Sequence, residues 1–251
     1  MTAILFTGEA RSRIAHAGGA RWLRHVQVWR PADPDAITTG DVETAVILLS
    51  GTFDLIGGST AWPARGARKT PLEGRPMAVY LPPHTPFRTQ NGSGEILMIA
   101  ATQPVAREEA TGREALAKKP LLPMAGSGKS FDPTSGEWKP AETFPTAPES
   151  LPPRRFERIA VGACIVERMF APDYKAATLS VDEVVVPAGA SLRIADVPGR
   201  PRCDEVAVFV RDERGDRVDI VRGNGDDVVV TAAAAPSYVV LAYAGKGGSG
   251  S

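Results

Sequence analysis

Short β-branched and aromatic runs recur along most of the chain. The clearest such runs cover residues 22–29, 44–49, 52–55, 77–81, 96–101, 159–170, 178–186, 206–211, 218–221, 227–231 and 238–243. Turn residues separate them, drawn from 22 prolines and 25 glycines. This spacing predicts an all-β chain of barrel or sandwich type rather than one built on long helices. Two stretches repeat the pattern in the same order. Residues 43–58 are answered by 77–87, and residues 204–221 by 225–231 and 237–244.

One segment departs from this rhythm. Residues 105–119 have helix-forming composition, with Glu108, Glu109 and Glu114 ahead of Lys118 and Lys119, which predicts a short helix or ordered loop. From 120 to 153 prolines become dense, which predicts a linker between two lobes. Phe131, Trp138 and Phe144 should then pack on the lobe surfaces. The organisation expected is therefore a first half over 1–119, a linker over 120–153, a second half over 154–245 and a flexible tail over 246–251.

Composition narrows the function. A hydrophobic share of 43% over 251 residues supports a sizeable core. Lys+Arg and Asp+Glu each number 29, so no basic field exists to hold nucleic acid or an anionic membrane surface. Apolar runs fall well short of the ~20 residues of a membrane helix. The N-terminus lacks the order of basic and apolar regions that a secretion signal needs, which gives a cytoplasmic expectation. Cys164 and Cys203 read as buried, reduced thiols.

Gly126-Ser-Gly-Lys-Ser130 resembles the end of a phosphate-binding loop. However, Pro123 stands where the first glycine belongs, and Asp132-Pro-Thr-Ser-Gly136 follows where a helix should start. His16, His25 and His84 are too scattered for a metal centre, and His84 alone sits at a strand exit near a barrel mouth. Among the acidic residues of the second half, Glu205 is the best inward-pointing candidate. Its face is shared by Ala207 and Phe209, and Arg200 and Arg202 upstream are placed to neutralise it.

Three segments of the first half, Glu43-Thr-Ala-Val-Ile-Leu-Leu-Ser-Gly51, Val79-Tyr-Leu-Pro-Pro83 and Glu95-Ile-Leu-Met-Ile-Ala-Ala101, resemble the 5-deoxy-glucuronate isomerase family of myo-inositol breakdown. The related 5-keto-4-deoxyuronate isomerases share its build. The end of the chain, Asp226 to Val230 and Ser237 to Gly245, is similar to the last strands of that family. The resemblance implies a bicupin, two double-stranded β-helix barrels in one chain, that interconverts aldose and ketose forms of a sugar acid. It also implies a divalent metal in the second barrel, held by His-x-His, a Glu and a later His. On this chain those positions fall at Arg200-Pro-Arg202, at Glu205 and near Ser237 or Tyr238. Guanidinium offers no lone pair to a cation, so no metal ligands and no cofactor are expected.

The resulting expectation gives Glu205 the role of base, with Arg200, Arg202 and Tyr238 binding a small-molecule sugar acid. A homo-oligomer paired through strand edges stands as a further expectation. Two alternatives remain beside the isomerase: a catalytically silent cupin that binds a sugar acid or other small ligand, and a scaffold-type bicupin whose pockets are filled by side chains.

Overall fold

A computed structural model describes residues 4–5, 12–16, 20–30, 35–57, 60–73, 76–102, 129–132, 137–140, 157–170 and 178–245. Strands dominate, and the all-β, two-barrel expectation holds. The first sheet runs in the order β2 (Ser12–His16), β3 (Leu23–Trp29), β8 (Pro86–Thr102), β5 (Val42–Gly57) and β6 (Thr60–Arg68). Strand β4 (Asp35–Thr38) lies on β8, and β7 (Ala78–Leu81) lies on β5. The second sheet runs β1 (Ile4–Leu5), β16 (Gly215–Arg222), β15 (Glu205–Asp212), β18 (Ser237–Ala244), β13 (Ser180–Val186), β12 (Cys164–Phe170) and β11 (Glu157–Val161). A small sheet of β14 (Ser191–Arg193) and β17 (Val229–Thr231) faces it. No helix among the described residues is long and apolar enough to cross a membrane.

Several sequence-read strands change their bounds for local reasons. The runs at 44–49 and 52–55 form one long strand, β5, bent at Gly51. There φ is +89° and an added Cβ would collide with the Ser93 carbonyl oxygen on β8. The run at 159–170 is a hairpin instead, turning at Gly162 with φ +58°. The first half is not self-contained, because β1 pairs with β16 of the second sheet, with Ile4 opposite Val218. Within the expected linker, β9 (Lys129–Asp132) pairs antiparallel with β10 (Glu137–Pro140), so Lys129 and Ser130 lie on a strand. The helix expected at 105–119 and the tail at 246–251 lie outside the described residues.

Both faces of the central strands are buried, and they serve different cores. On β5, Val46 and Leu48 join Trp29, Phe53, Leu55, Val79, Leu81, Phe87, Ile96 and Met98 inside the first barrel. Their neighbours Ala45, Ile47 and Leu49 point the other way. They meet Leu179, Val181, Ala207, Phe209, Tyr238, Val240 and Ala242 in a seam between the two large sheets. A third cluster fills the second barrel, with Val184, Val186, Val206, Val208, Val210, Val239 and Leu241 against Leu192 and Val230 of the small sheet. Strands buried on both sides read as continuous apolar runs, which explains segments such as 45–49 and 238–244.

Candidate functional site

The four residues singled out by the sequence do not converge. Glu205 does share a face with Ala207 and Phe209, but that face belongs to the seam and not to the barrel interior. Its carboxylate is buried and accepts from the backbone N–H groups of Arg21, Trp22 and Leu23, the last two at 2.9 Å. Asp204 beside it accepts from the Trp22 indole at 2.8 Å. Glu205 therefore ties the second barrel to the start of β3, and its oxygens are committed to that task. Period-two alternation placed Glu205 with its neighbours correctly. It could not tell seam from lumen where both are apolar.

Tyr238 also faces the seam. Its hydroxyl donates to Glu183 Oε2 at 2.9 Å. Glu183 in turn receives Nη1 and Nη2 of Arg68 at 3.0 and 2.7 Å, and the Arg68 guanidinium stands 5.7 Å from the Tyr238 ring centroid. Arg68 spends its other donors on the carbonyl oxygens of Glu73, Leu48 and Pro71. Burial, and then the Glu183 charge, push the Tyr238 hydroxyl well above its ordinary pKa. Burial opposes the charge on Arg68, but Glu183 outweighs it and raises the pKa. This is a fully satisfied buried ion pair bridging the barrels.

Arg200 and Arg202 lie at one end of the second barrel. Arg200 donates to the Asn224 carbonyl oxygen at 2.7 Å and pairs with Asp226, whereas Arg202 is exposed. Two guanidinium groups, a carboxylate already holding three N–H groups and a tyrosine bonded to Glu183 do not fit a divalent cation. His84, at the strand exit, is exposed and pairs with Asp41 at 3.3 Å. Cys164 and Cys203 are free and buried.

The same end of the second barrel carries a polar group that sequence reasoning missed. Arg168 of β12 and Asp182 of β13 are register partners, and both side chains project inward beside Val166 and Val184. Arg168 Nε lies 3.0 Å from Asp182 Oδ1, Nη2 lies 3.4 Å from Oδ2 and 2.9 Å from the Pro198 carbonyl oxygen, and Nη1 lies 3.3 Å from Glu157 Oε2. Burial raises the pKa of Asp182 despite the opposing guanidinium. Tyr243 of β18 completes the group. Its hydroxyl lies beside Asp182, and burial, then the charge of that carboxylate, push its pKa well above the ordinary value. The detectable sequence signal was parity: Asp182 shares its face with Val184 and Val186, and Tyr243 shares its face with Val239 and Leu241.

Two antiparallel barrels joined face to face in one chain, with a polar cluster at the end of one, define a bicupin. Residues 24–118 match the model of the KduI/IolB family, in keeping with the resemblance read from the sequence. Among solved structures, the chain is similar to an IolB-like protein from Salmonella typhimurium LT2. The two share 17% identity at a TM-score of 0.64, covering 97% of this chain and 92% of that one. It is also similar to a cupin 2 conserved barrel domain protein from Leptotrichia buccalis, with 8% identity, a TM-score of 0.41 and coverage of 97% and 96%. At 17% identity the likeness to the IolB-like protein is one of fold. No curated protein matches the chain by sequence.

Proposed function

We propose that the chain is a sugar-acid isomerase-like bicupin whose small-molecule site is the Arg168 end of the second barrel. The observation that carries this reading is the buried Arg168–Asp182 pair, set among the apolar side chains of the second barrel. A charged pair is costly inside a barrel, and a carboxyl of raised pKa beside a fixed guanidinium suits proton transfer. Aldose–ketose isomerisation moves a proton between adjacent carbons through an enediolate. Asp182 takes the role of base that the sequence had given to Glu205, because the Glu205 oxygens are occupied. Arg168 stabilises the developing oxyanion. Arg200 and Arg202 at the rim suit the substrate carboxylate, which guanidinium binds in a bidentate manner. The family resemblance makes 5-deoxy-glucuronate of inositol breakdown the first substrate to test.

The test is to incubate the purified protein with 5-deoxy-glucuronate in D2O and follow the sugar by NMR. Ketose formation with deuterium entering the carbon next to the carbonyl is expected, and Asp182→Asn should slow it on the order of a hundredfold. No ketose over hours would overturn the isomerase reading. One observation favours a second reading, a catalytically silent binder. Asp182 already receives both Nε and Nη2 of Arg168, so its lone pairs are partly occupied. In that case the same spectra would show ligand line broadening without conversion.

A further inference from the structure

We propose that Asn91, with Gly92 behind it, is a site of spontaneous deamidation whose product loosens the bend of the first barrel. The reaction needs only water. The Gly92 backbone nitrogen attacks Cγ of Asn91, and the bond from Cγ to the amide nitrogen breaks. That nitrogen leaves as ammonia, taking the proton of the attacking N–H, and water then opens the cyclic imide to aspartate or isoaspartate. A side chain on the following residue would hinder the attack, and glycine has none.

The chain has two asparagines, Asn91 and Asn224, and glycine follows both. Their dipeptides are identical, but the fold treats them differently. Asn224 is half-buried and Gly225 is buried. The Asn224 Oδ1 accepts from the Cys203 backbone N–H at 2.9 Å, and its carbonyl oxygen accepts from Arg200 at 2.7 Å. Cyclisation there must first break the Cys203 contact. Asn91 is exposed, and its Nδ2 donates to Asp54 Oδ2 at 2.6 Å in a contact open to water.

The bend itself demands the labile pair. Asp54 is opposite Gln90 and Thr52 is opposite Ser93, so Asn91 and Gly92 together face Phe53 as a bulge. At Asn91 φ is +53°, a conformation asparagine tolerates better than most residues. A Cβ at Gly92 would collide with the Thr52 carbonyl oxygen. Deamidation places a second carboxylate beside Asp54, which turns an attraction into like-charge repulsion. Isoaspartate also lengthens the backbone inside the bulge.

Ageing the folded protein at mildly alkaline pH, followed by peptide mapping with isoaspartate detection, reads both sites in one sample. Product should form at Asn91 at least about tenfold faster than at Asn224, the ratio expected where one hydrogen bond must break first. In urea the two rates should converge. Aged wild type should lose Tm, whereas Asn91→Gly, which suits the same φ, should keep its own. Equal rates in the folded protein, or a faster Asn224, would overturn the assignment. So would a ratio that persists in urea, since it would then come from local sequence. Deamidated protein of unchanged Tm would overturn the loosening of the bend.

Discussion

Glu43 and Glu205 stand at equivalent places in the two barrels, at the head of β5 and of β15, and each reaches across the seam to fasten the other half. Glu205 receives the N–H groups of Arg21, Trp22 and Leu23 at the start of β3. Glu43 receives the Thr178 N–H at 2.8 Å, the Thr178 hydroxyl and the Tyr80 hydroxyl at 2.7 Å, where the chain enters β13. The sequence repeat is thus also a repeat of function within the fold. Either carboxylate satisfies buried donors that lie far from it in sequence.

Removing either one should therefore cost stability and little else. Glu205→Ala leaves two buried backbone N–H groups and one part-buried N–H without an acceptor, a loss of about 2–5 kcal/mol. Glu43→Ala should cost a similar amount, and Glu205→Gln less, because one acceptor oxygen remains. Urea unfolding measures the difference. Wild-type stability in Glu205→Ala, accompanied by lost sugar-acid turnover, would return Glu205 to the catalytic role read from the sequence.

The seam predicts that the halves do not unfold separately. Leu179, Val181, Phe209, Tyr238 and Val240 of the second half are buried in one cluster with Ile47, Leu49, Leu97 and Ile99 of the first. Residues 157–245 expressed alone would expose that face and should aggregate on size-exclusion chromatography. The whole chain should show one unfolding transition. Arg68→Met strands the Glu183 carboxylate and should destabilise by about 3–5 kcal/mol, with Glu183→Gln restoring part of the loss in the double variant. Two well-separated transitions would contradict this.

The alternation of residues along each strand was legible from sequence, and so were the repeat and the family likeness. What alternation could not supply was the identity of each face. In a two-barrel chain the central strands are apolar towards both lumen and seam, so Glu205 and Tyr238 looked lumen-facing, while Asp182 was passed over among the acidic residues of the second half. Side-chain partners arriving from 150 or more residues away in sequence, such as Trp22 for Glu205, leave no local trace. Arginine cannot ligate a cation in any fold.

The two cysteines should be inert in the native protein. Burial pushes the Cys203 thiol up to about 12, above its ordinary value, and burial raises Cys164 as well. Both lie inside the second barrel, where burial disfavours the thiolate. Ellman's reagent should find no fast-reacting thiol until the protein is unfolded, and then two. Rapid labelling of the folded protein would show that the second barrel opens at this end.

Acid titration should separate two carboxylates by the sign of their effect. Glu95 accepts from Arg211 at 2.5 Å and from Arg30, and although burial works against its charge, these partners hold its pKa below the ordinary value. A depressed pKa gives stability that is present above the ordinary carboxylate range and is lost as pH falls through the folded value. Asp182 behaves in the opposite sense. Its pKa is raised by burial, so its contribution is fully present below the ordinary range and declines as pH rises through the folded value. Urea unfolding from pH 3 to pH 8, with Glu95→Gln and Asp182→Asn each set against wild type, reads both slopes. The wild-type advantage over Glu95→Gln should grow with pH, and the advantage over Asp182→Asn should shrink. Parallel curves would mean that folding leaves the Asp182 pKa unchanged, and an advantage that grew with pH would mean that Asp182 stays ionised in the folded state; either would remove its proton-holding role at the second-barrel site.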